Sequence, residues 1–203
     1  MTEPLTYRLD PKAELLNAAR YVLLEQGYAG LSTRAVAAEA GTQMSQIRYH
    51  FGSKEGMVLA LFENMNAALI ERQAAAFHQP DVTVSQKWDR ACDYLEDDLA
   101  SGYVRVLQEL TAVGWSNSVI GNAVRQALAQ WQVLIVEQVK DVENKLGSLG
   151  PFHSNEIAML VGAAFMGAES LILLGFDGTQ HPARAALRRV GELIKQIEAN
   201  RET

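Results

Sequence analysis

The chain has 203 residues, a formal net charge of −6 and a hydrophobic share of 48%. This length suits one large domain, or a small domain joined to a larger one, with a substantial core. Cys92 is the single cysteine, which excludes a disulfide framework and a thiolate metal cluster and fits a reducing cytosol. We therefore expect a cytoplasmic protein.

Apolar residues recur at helical spacing along the chain, and no convincing β-alternation interrupts them. Helix-capping and helix-breaking residues bound the apolar stretches. Asp10 and Pro11 precede the first helix, Ser32 is expected to cap the second and Ser154 the eighth, and Gly147 follows the seventh. We predict an all-α fold of about nine helices. They cover residues 11–27, 33–40, 43–51, 54–79, 84–101, 103–113, 120–146, 154–174 and 182–197.

Two segments bear on a membrane location. Residues 1–10 contain no apolar core and are typical of a polar tail, not of a signal peptide. Residues 157–176 have the length of a membrane span, but Glu169, Ser170 and several small residues interrupt them. Because small residues suit close helix packing, we predict a buried interface helix here and no membrane association.

The segment from residue 30 to residue 51 has the pattern of a helix-turn-helix. Val36, Ala37 and Ala40 give the second helix a small face on which another helix can pack, and Gly41 supplies the tight turn. The third helix then presents donors, acceptors and a cation outward, which are the groups that meet base edges and phosphates in a major groove. These outward residues are Ser45, Gln46, Arg48, Tyr49 and His50.

The charge of this segment permits a DNA contact without predicting one. The first 56 residues contain six Lys or Arg and six Asp or Glu, so the whole acidic excess lies in the rest of the chain. We assign Tyr28, Ile47 and Phe51 to the core and expect no binding role for them.

The sequence at the end of the third helix is more specific. Tyr49-His50-Phe51 is followed by the turn residues Gly52-Ser53 and then by Lys54. With Leu31-Ser32-Thr33-Arg34 and Ala40-Gly41 upstream, the first quarter of the chain resembles the TetR family of transcriptional regulators. The resemblance implies a three-helix DNA-binding domain at residues 1–53 and a helical ligand-binding and dimerisation domain at residues 54–203.

The resemblance also implies DNA contacts for individual residues of the second helix. Thr33 and Arg34 open this helix, where the family contacts phosphates and sometimes a guanine. The guanidinium of arginine suits a bidentate contact with that base. A structural role remains open for Arg34, which could instead pair with Glu39 or Asp10.

The third helix, together with Lys54 at the start of the fourth, supplies the remaining DNA-binding candidates. Tyr49, His50 and Lys54 match positions that grip the DNA backbone, and Lys54 begins a helix whose N-terminus favours phosphate. Arg48 stands where the family usually has an aromatic residue, and this flexible cation can reach either phosphate or base. Packing between two domains remains open for Tyr49 and His50. The candidates for base edges or thymine methyl groups are Met44, Ser45 and Gln46.

For the rest of the chain, the resemblance implies a ligand pocket and a dimer surface. Aromatic residues with a few polar groups suit an apolar pocket, but they suit an ordinary core equally well. Two carboxylates within apolar stretches need partners. For Glu169 the partner could be a ligand, Trp115, a residue across the dimer or another structural group. The ligand-binding candidates are Trp88, Tyr103, Glu109, Trp115, Trp131, Phe165 and Glu169.

The eighth and ninth helices have the apolar faces of a homodimer's four-helix bundle. Small residues of the eighth helix would allow close approach across it: Gly162, Ala163, Gly167 and Ala168. Two recognition helices must then enter successive major grooves roughly 34–36 Å apart, which implies a near-palindromic operator.

These features predict a ligand-responsive regulator, by default a repressor, that binds double-stranded operator DNA as a homodimer. An unidentified small-molecule effector would move the long helix that begins at Lys54 and so change the spacing of the two DNA-binding heads. The alternative is a helical small-molecule binder or scaffold of the same family that does not bind an operator.

An enzyme is the rival class. The four histidines are scattered and none belongs to a His-Glu-x-x-His pair. Neither a phosphate-binding glycine loop nor a nucleophile elbow appears. We therefore predict no catalytic activity, no metal and no cofactor.

Overall fold

The computed structural model describes residues 10–79 and 82–200. Within this part of the chain the regular structure is entirely helical, which confirms the all-α prediction. The predicted polar tail before residue 10 and the predicted end of a helix at Pro80 lie outside the described residues. The helices are α1 (Pro11–Gly30), α2 (Thr33–Glu39), α3 (Met44–Phe51), α4 (Lys54–Phe77), α5 (Val84–Ser101), α6 (Tyr103–Gly114), α7 (Ser118–Leu146), α8 (Ser154–Leu173) and α9 (Ala183–Ala199).

The first helix begins as its sequence predicts and ends differently. The Asp10 carboxylate accepts a hydrogen bond from the Lys12 backbone N–H at 3.2 Å, and Pro11 occupies the first turn. Gly27 has a φ of 68°, so the helical path breaks at the predicted residue. One further turn follows and continues to Gly30, which the sequence pattern did not predict.

Caps of later helices were predicted with mixed success. The Ser32 hydroxyl accepts from the Ala35 N–H at 3.1 Å, as expected for the start of α2. Ser154 was expected to cap α8, and this was wrong because His153 is the cap residue. The Glu156 carboxylate reaches back to accept from the His153 N–H at 2.8 Å, which satisfies the end of the helix.

The helices form two compact units. The first unit contains the chain up to Met65 together with Glu109–Val124, and we call it the head unit. The second contains Asn66–Gln108 and the chain from Arg125 onward, and we call it the cavity unit. The two units are defined by how closely their residues lie in space, not by what they do. The predicted boundary between a DNA-binding domain and a ligand-binding domain, at residues 53 and 54, therefore stays a prediction.

The head unit draws its core from more than the three short helices at its start. Ile47 of α3 is fully buried, as predicted, whereas Tyr28 and Phe51 are only partly buried and do not belong to the deepest core. Leu110 of α6 and Ile120 of α7 are as deeply buried as Ile47. Three short helices alone bury little apolar surface, and these additional residues enlarge the core that holds α2 and α3.

The cavity unit includes the most apolar helix of the chain. By length and composition α8 is the one helix of the described residues that could cross a membrane, and 22% of its most apolar window is buried. Ala158, Gly162, Phe165 and Ala168 are its buried residues. The helix therefore lies at the edge of its unit with much of its apolar surface exposed, not inside the core.

Two glycines allow the end of α6 and the start of α7 to approach closely within the head unit. A Cβ atom placed on Gly121 would lie 2.6 Å from the Gly114 carbonyl oxygen, and one placed on Gly114 would lie 2.9 Å from the Gly121 Cα. The obstructing atoms are backbone, so a side chain here forces the helices apart.

The Gly121→Ala variant tests this close approach. Overpacking costs about 1–3 kcal/mol, which exceeds the gain of about 1 kcal/mol that alanine brings to a helix. We expect a lower urea unfolding midpoint, measured by circular dichroism. Gly178→Ala is the control, because no atom lies within 4 Å of its added Cβ. Equal midpoints for the two variants would contradict the packing described here.

Candidate nucleic-acid interface and ligand cavity

The turn between α2 and α3 sets the orientation of both helices. Gly41 adopts a φ of 62°, and the Thr42 N–H donates to the Ala37 carbonyl at 2.9 Å. Ile47 then faces inward and fixes which side of α3 is exposed. The Thr33 hydroxyl lies 4.0 Å from the Met44 sulfur, so the first residues of the two helices are neighbours.

The outward face of α2 and α3 carries most of the predicted DNA-binding residues. Tyr49 is 82% exposed and Met44 is 54% exposed. Thr33 and His50 are half-buried, and the His50 ring lies edge-on to Tyr49 with ring centroids 5.0 Å apart. The other exposed candidates are Arg34, Ser45, Gln46 and Arg48.

Arg34 has no ion pair with Glu39 or Asp10 among the residues that the structure describes. The structural alternative that the sequence left open for Arg34 therefore has no geometric support. A guanidinium without an internal partner is available to a phosphate or a base.

Lys54 is held by the protein more closely than the sequence suggested. Its ammonium donates to the Tyr28 carbonyl at 3.2 Å and lies 4.3 Å from the centre of the Tyr28 ring. Burial lowers the pKa of Lys54. An ammonium group has three hydrogens to donate, so the bond to Tyr28 leaves capacity for a phosphate.

Glu109 was predicted as a ligand contact, but it lies in the head unit and does not line the cavity. Its carboxylate accepts a hydrogen bond from the Tyr28 backbone N–H, directly after the break at Gly27. The partner that the sequence analysis required for Glu109 is therefore a backbone N–H group. Trp115 is also outside the cavity, because it follows the end of α6 and is 84% exposed.

The cavity unit encloses a cavity of about 330 Å³. This lies within the range of about 300–1,000 Å³ that small-molecule sites occupy. The structure brings five of the seven predicted residues together here: Trp88, Tyr103, Trp131, Phe165 and Glu169. The sequence did not single out other lining residues, which include Leu69, Gln73, Lys87, Asp98, Leu107 and Gln138.

The polar hydrogens of three cavity aromatics are donated to the protein. The Trp88 indole N–H donates to the Leu187 carbonyl at 2.7 Å, and the Trp131 indole N–H donates to Gln73 Oε1 at 2.9 Å. The Tyr103 hydroxyl donates to Asn66 Oδ1 at 2.9 Å. These bonds hold the rings in place and leave mainly apolar surface for a ligand.

Glu169 has no cationic partner within ion-pair distance among the described side chains. Gln108 Nε2 donates to its carboxylate at 3.2 Å, and the Ser170 hydroxyl orients that amide by donating to Gln108 Oε1 at 2.9 Å. Burial, with a smaller effect from Asp98, raises the pKa of Glu169 to about 7. Of the partners left open for Glu169, a structural pairing with Gln108 is present.

Comparison with known proteins identifies the N-terminal segment. Residues 15–61 match the bacterial regulatory proteins of the tetR family. This segment, about a quarter of the chain, is therefore similar to the N-terminal domain of that family. It is 31% identical over 93 residues to the HTH-type transcriptional regulator CymR of Pseudomonas putida, covering 44% of this chain and 46% of that protein. The match thus spans about half the length of the curated relative.

Solved structures resemble the chain over most of its length. The regulator FadR of Bacillus subtilis, in complex with stearoyl-CoA, has a TM-score of 0.74 and 16% identity, and 90% of this chain and 96% of that chain are covered. A Saccharomonospora viridis protein in complex with choline has a TM-score of 0.71 and 20% identity, with 89% and 93% covered. At these identities the likeness establishes the fold alone.

The pKa of Glu169 predicts how stability depends on pH. The value in the fold, about 7, lies above the ordinary 4.5, so the folded state holds the proton more tightly than the unfolded state. The contribution of this proton is complete below pH 4.5 and is lost as the pH rises through 7. The complete loss is about 3 kcal/mol.

The Glu169→Gln variant should not lose this stability. The free energy of unfolding of the wild type should fall from pH 5 to pH 8, and that of Glu169→Gln should fall less. Urea unfolding of both proteins at pH 5 and at pH 8 measures this difference. Glu71→Gln removes an exposed carboxylate from α4 and should follow the wild type. A parallel pH response in wild type and Glu169→Gln would refute the assignment.

Proposed function

We propose that this chain is a ligand-responsive transcriptional repressor, which binds a near-palindromic operator as a homodimer and is released by a small-molecule effector. The observation that carries the proposal is the exposed polar face of α2 and α3, within the segment that matches the tetR family. The cavity in the second unit supports the effector. A cytoplasmic location follows from operator binding.

The proposed DNA contacts divide between bases and phosphates. Arg34, Gln46 and Arg48 are exposed and can reach base edges, whereas Tyr49 and Lys54 suit the backbone. The first 56 residues carry no net charge, so placed contacts must supply most of the affinity.

The homodimer is proposed through α8 and α9 because both helices leave apolar residues uncovered. Leu160, Leu171 and Leu193 are each 46–57% exposed. The small residues of α8 divide between two surfaces: Gly162 and Ala168 are buried within their own unit, and Ala163 and Gly167 are exposed. Of these four residues, Ala163 and Gly167 therefore remain available for close approach by a partner.

Two helices can carry a signal from the ligand to the head. Tyr103 and Leu107 of α6 line the cavity, and Glu109 of the same helix holds the Tyr28 N–H. In α4, Leu69 lines the cavity and Lys54 holds the Tyr28 carbonyl. A ligand that fits one arrangement of these helices better than another shifts the population by its difference in affinity.

The absence of catalysis remains part of the proposal. The family is one of regulatory proteins. Within the described residues, no group of three His, Cys, Asp or Glu side chains is placed to hold a metal ion. The cavity is lined mainly by apolar side chains, which suit binding more than proton or group transfer.

Arg34→Ala and Tyr49→Ala should each weaken operator binding at least about tenfold, because each removes a contact that the fold does not need. Binding is measured by fluorescence anisotropy on a duplex recovered from genomic DNA fragments at low salt. Circular dichroism checks that the variants remain folded.

The matched controls are Arg125→Ala and Tyr21→Ala, which remove exposed side chains of the same kinds from α7 and α1. Both should bind like the wild type. Recovery of no duplex by the wild type would favour the alternative, a helical small-molecule binder or scaffold without an operator.

Leu193→Glu should convert the dimer to a monomer, since a carboxylate buried in an apolar interface has no partner. Sedimentation equilibrium measures the mass. Val119→Glu introduces the same charge at a position of α7 that is 48% exposed and should leave the dimer intact. If the Leu193→Glu protein remains dimeric, the proposed interface on α8 and α9 is wrong.

A further inference from the structure

The charges that line the cavity are not balanced. Lys87, Asp98 and Glu169 are its charged lining residues. Lys87 pairs with Asp141 at 3.1 Å, and Asp98 pairs with Arg72 at 2.5 Å. Glu169 alone among the three has no described ion-pair partner, so its ionised form leaves one negative charge uncompensated beside the cavity.

Hydrogen bonds within the protein occupy the donors of three cavity aromatics but not the Glu169 carboxylate. The polar hydrogens of Trp88, Trp131 and Tyr103 are already donated to protein acceptors. A carboxylate offers about four acceptor sites, and Gln108 donates to one Glu169 oxygen. Among these four side chains, the capacity left for a ligand is therefore the acceptor capacity of Glu169.

We propose that the cavity binds an apolar ligand that carries a protonated amine, with the ammonium group on the Glu169 carboxylate and the apolar body among the aromatic rings. This inference rests on the proposed effector-binding function of the cavity. The rings of Tyr103 and Phe165 add a surface that attracts cations.

An apolar carboxylate is the opposite ligand class, and the cavity disfavours it. The Lys87 ammonium already donates to Gln138 at 2.8 Å and to Asp141 at 3.1 Å, so it keeps one hydrogen for such a ligand while Asp141 offsets its charge. The ligand carboxylate also brings a second negative charge into a site that already contains Glu169. Burial of an unpaired charge is costly, so this ligand binds only when Glu169 is protonated.

Protonation of Glu169 gives the binding a defined pH dependence. Asp98 of α5, Tyr103 of α6 and Gln108 of α6 are the polar groups that face it. Burial raises the pKa of Tyr103 and of Asp98; Tyr103 stays protonated at neutral pH, and Arg72 favours the charged form of Asp98. With the pKa of Glu169 at about 7, affinity for a cation rises from pH 6 to pH 8.

Calorimetric titration of the full chain with decylammonium, decan-1-ol and decanoate tests the proposal. These probes share an apolar body and differ in the charge of the head group. Decylammonium should bind most tightly at pH 8, and Glu169→Gln should weaken its binding about tenfold while changing decan-1-ol binding little. Glu71→Gln, exposed and outside the cavity, should bind all three probes like the wild type.

A pH series on the wild type keeps the proposal testable if Glu169→Gln does not fold. Decylammonium should bind about tenfold more weakly at pH 6 than at pH 8, and decan-1-ol should bind equally at both. Tighter binding of decanoate, a flat pH profile or no decylammonium binding overturns the proposal. These titrations contain no DNA, so they test the ligand class separately from operator binding. A negative titration overturns the amine proposal and leaves operator binding untouched. A protein that binds no operator can still be titrated with the three probes.

Discussion

The backbone N–H and carbonyl of Tyr28 are the two groups on which the head unit depends. The positive φ of Gly27 breaks the helix immediately before them, which removes the regular partners of nearby backbone groups. Glu109 supplies an acceptor for the Tyr28 N–H, and Lys54 supplies a donor for its carbonyl. Since partly buried backbone groups need partners, the break in α1 is stable only with α4 and α6 in place.

Much of the fold followed from local rules of sequence. Helical spacing placed the helices, and Asp10, Ser32 and Gly41 marked ends that depend only on neighbouring residues. The exposed face of α3 followed from the same spacing once Ile47 was assigned to the core. Ser154 failed as a cap because His153 and Glu156 satisfy the helix end without it.

Partners distant in sequence could not be predicted in this way. Glu109 and Glu169 looked alike as carboxylates in apolar stretches, yet one holds the Tyr28 backbone and the other lines the cavity. Lys87 and Asp98 were overlooked because each occupies an ordinary position in an amphipathic helix. Their role in the cavity depends on contacts with Asp141 and Arg72, which helical periodicity does not contain.

The absence of net charge in the first 56 residues has a consequence for the search along DNA. Non-specific affinity arises from the counterions that basic side chains release at phosphates, and in the proposed complex the acidic side chains of this segment offset its cations, which include Arg34, Arg48 and Lys54. The proposed function therefore implies short residence on random sequence, with transfer between distant segments in place of extended sliding. The salt dependence of binding scales with the number of phosphates that cations neutralise, so few such contacts would make the proposed operator binding less sensitive to intracellular salt.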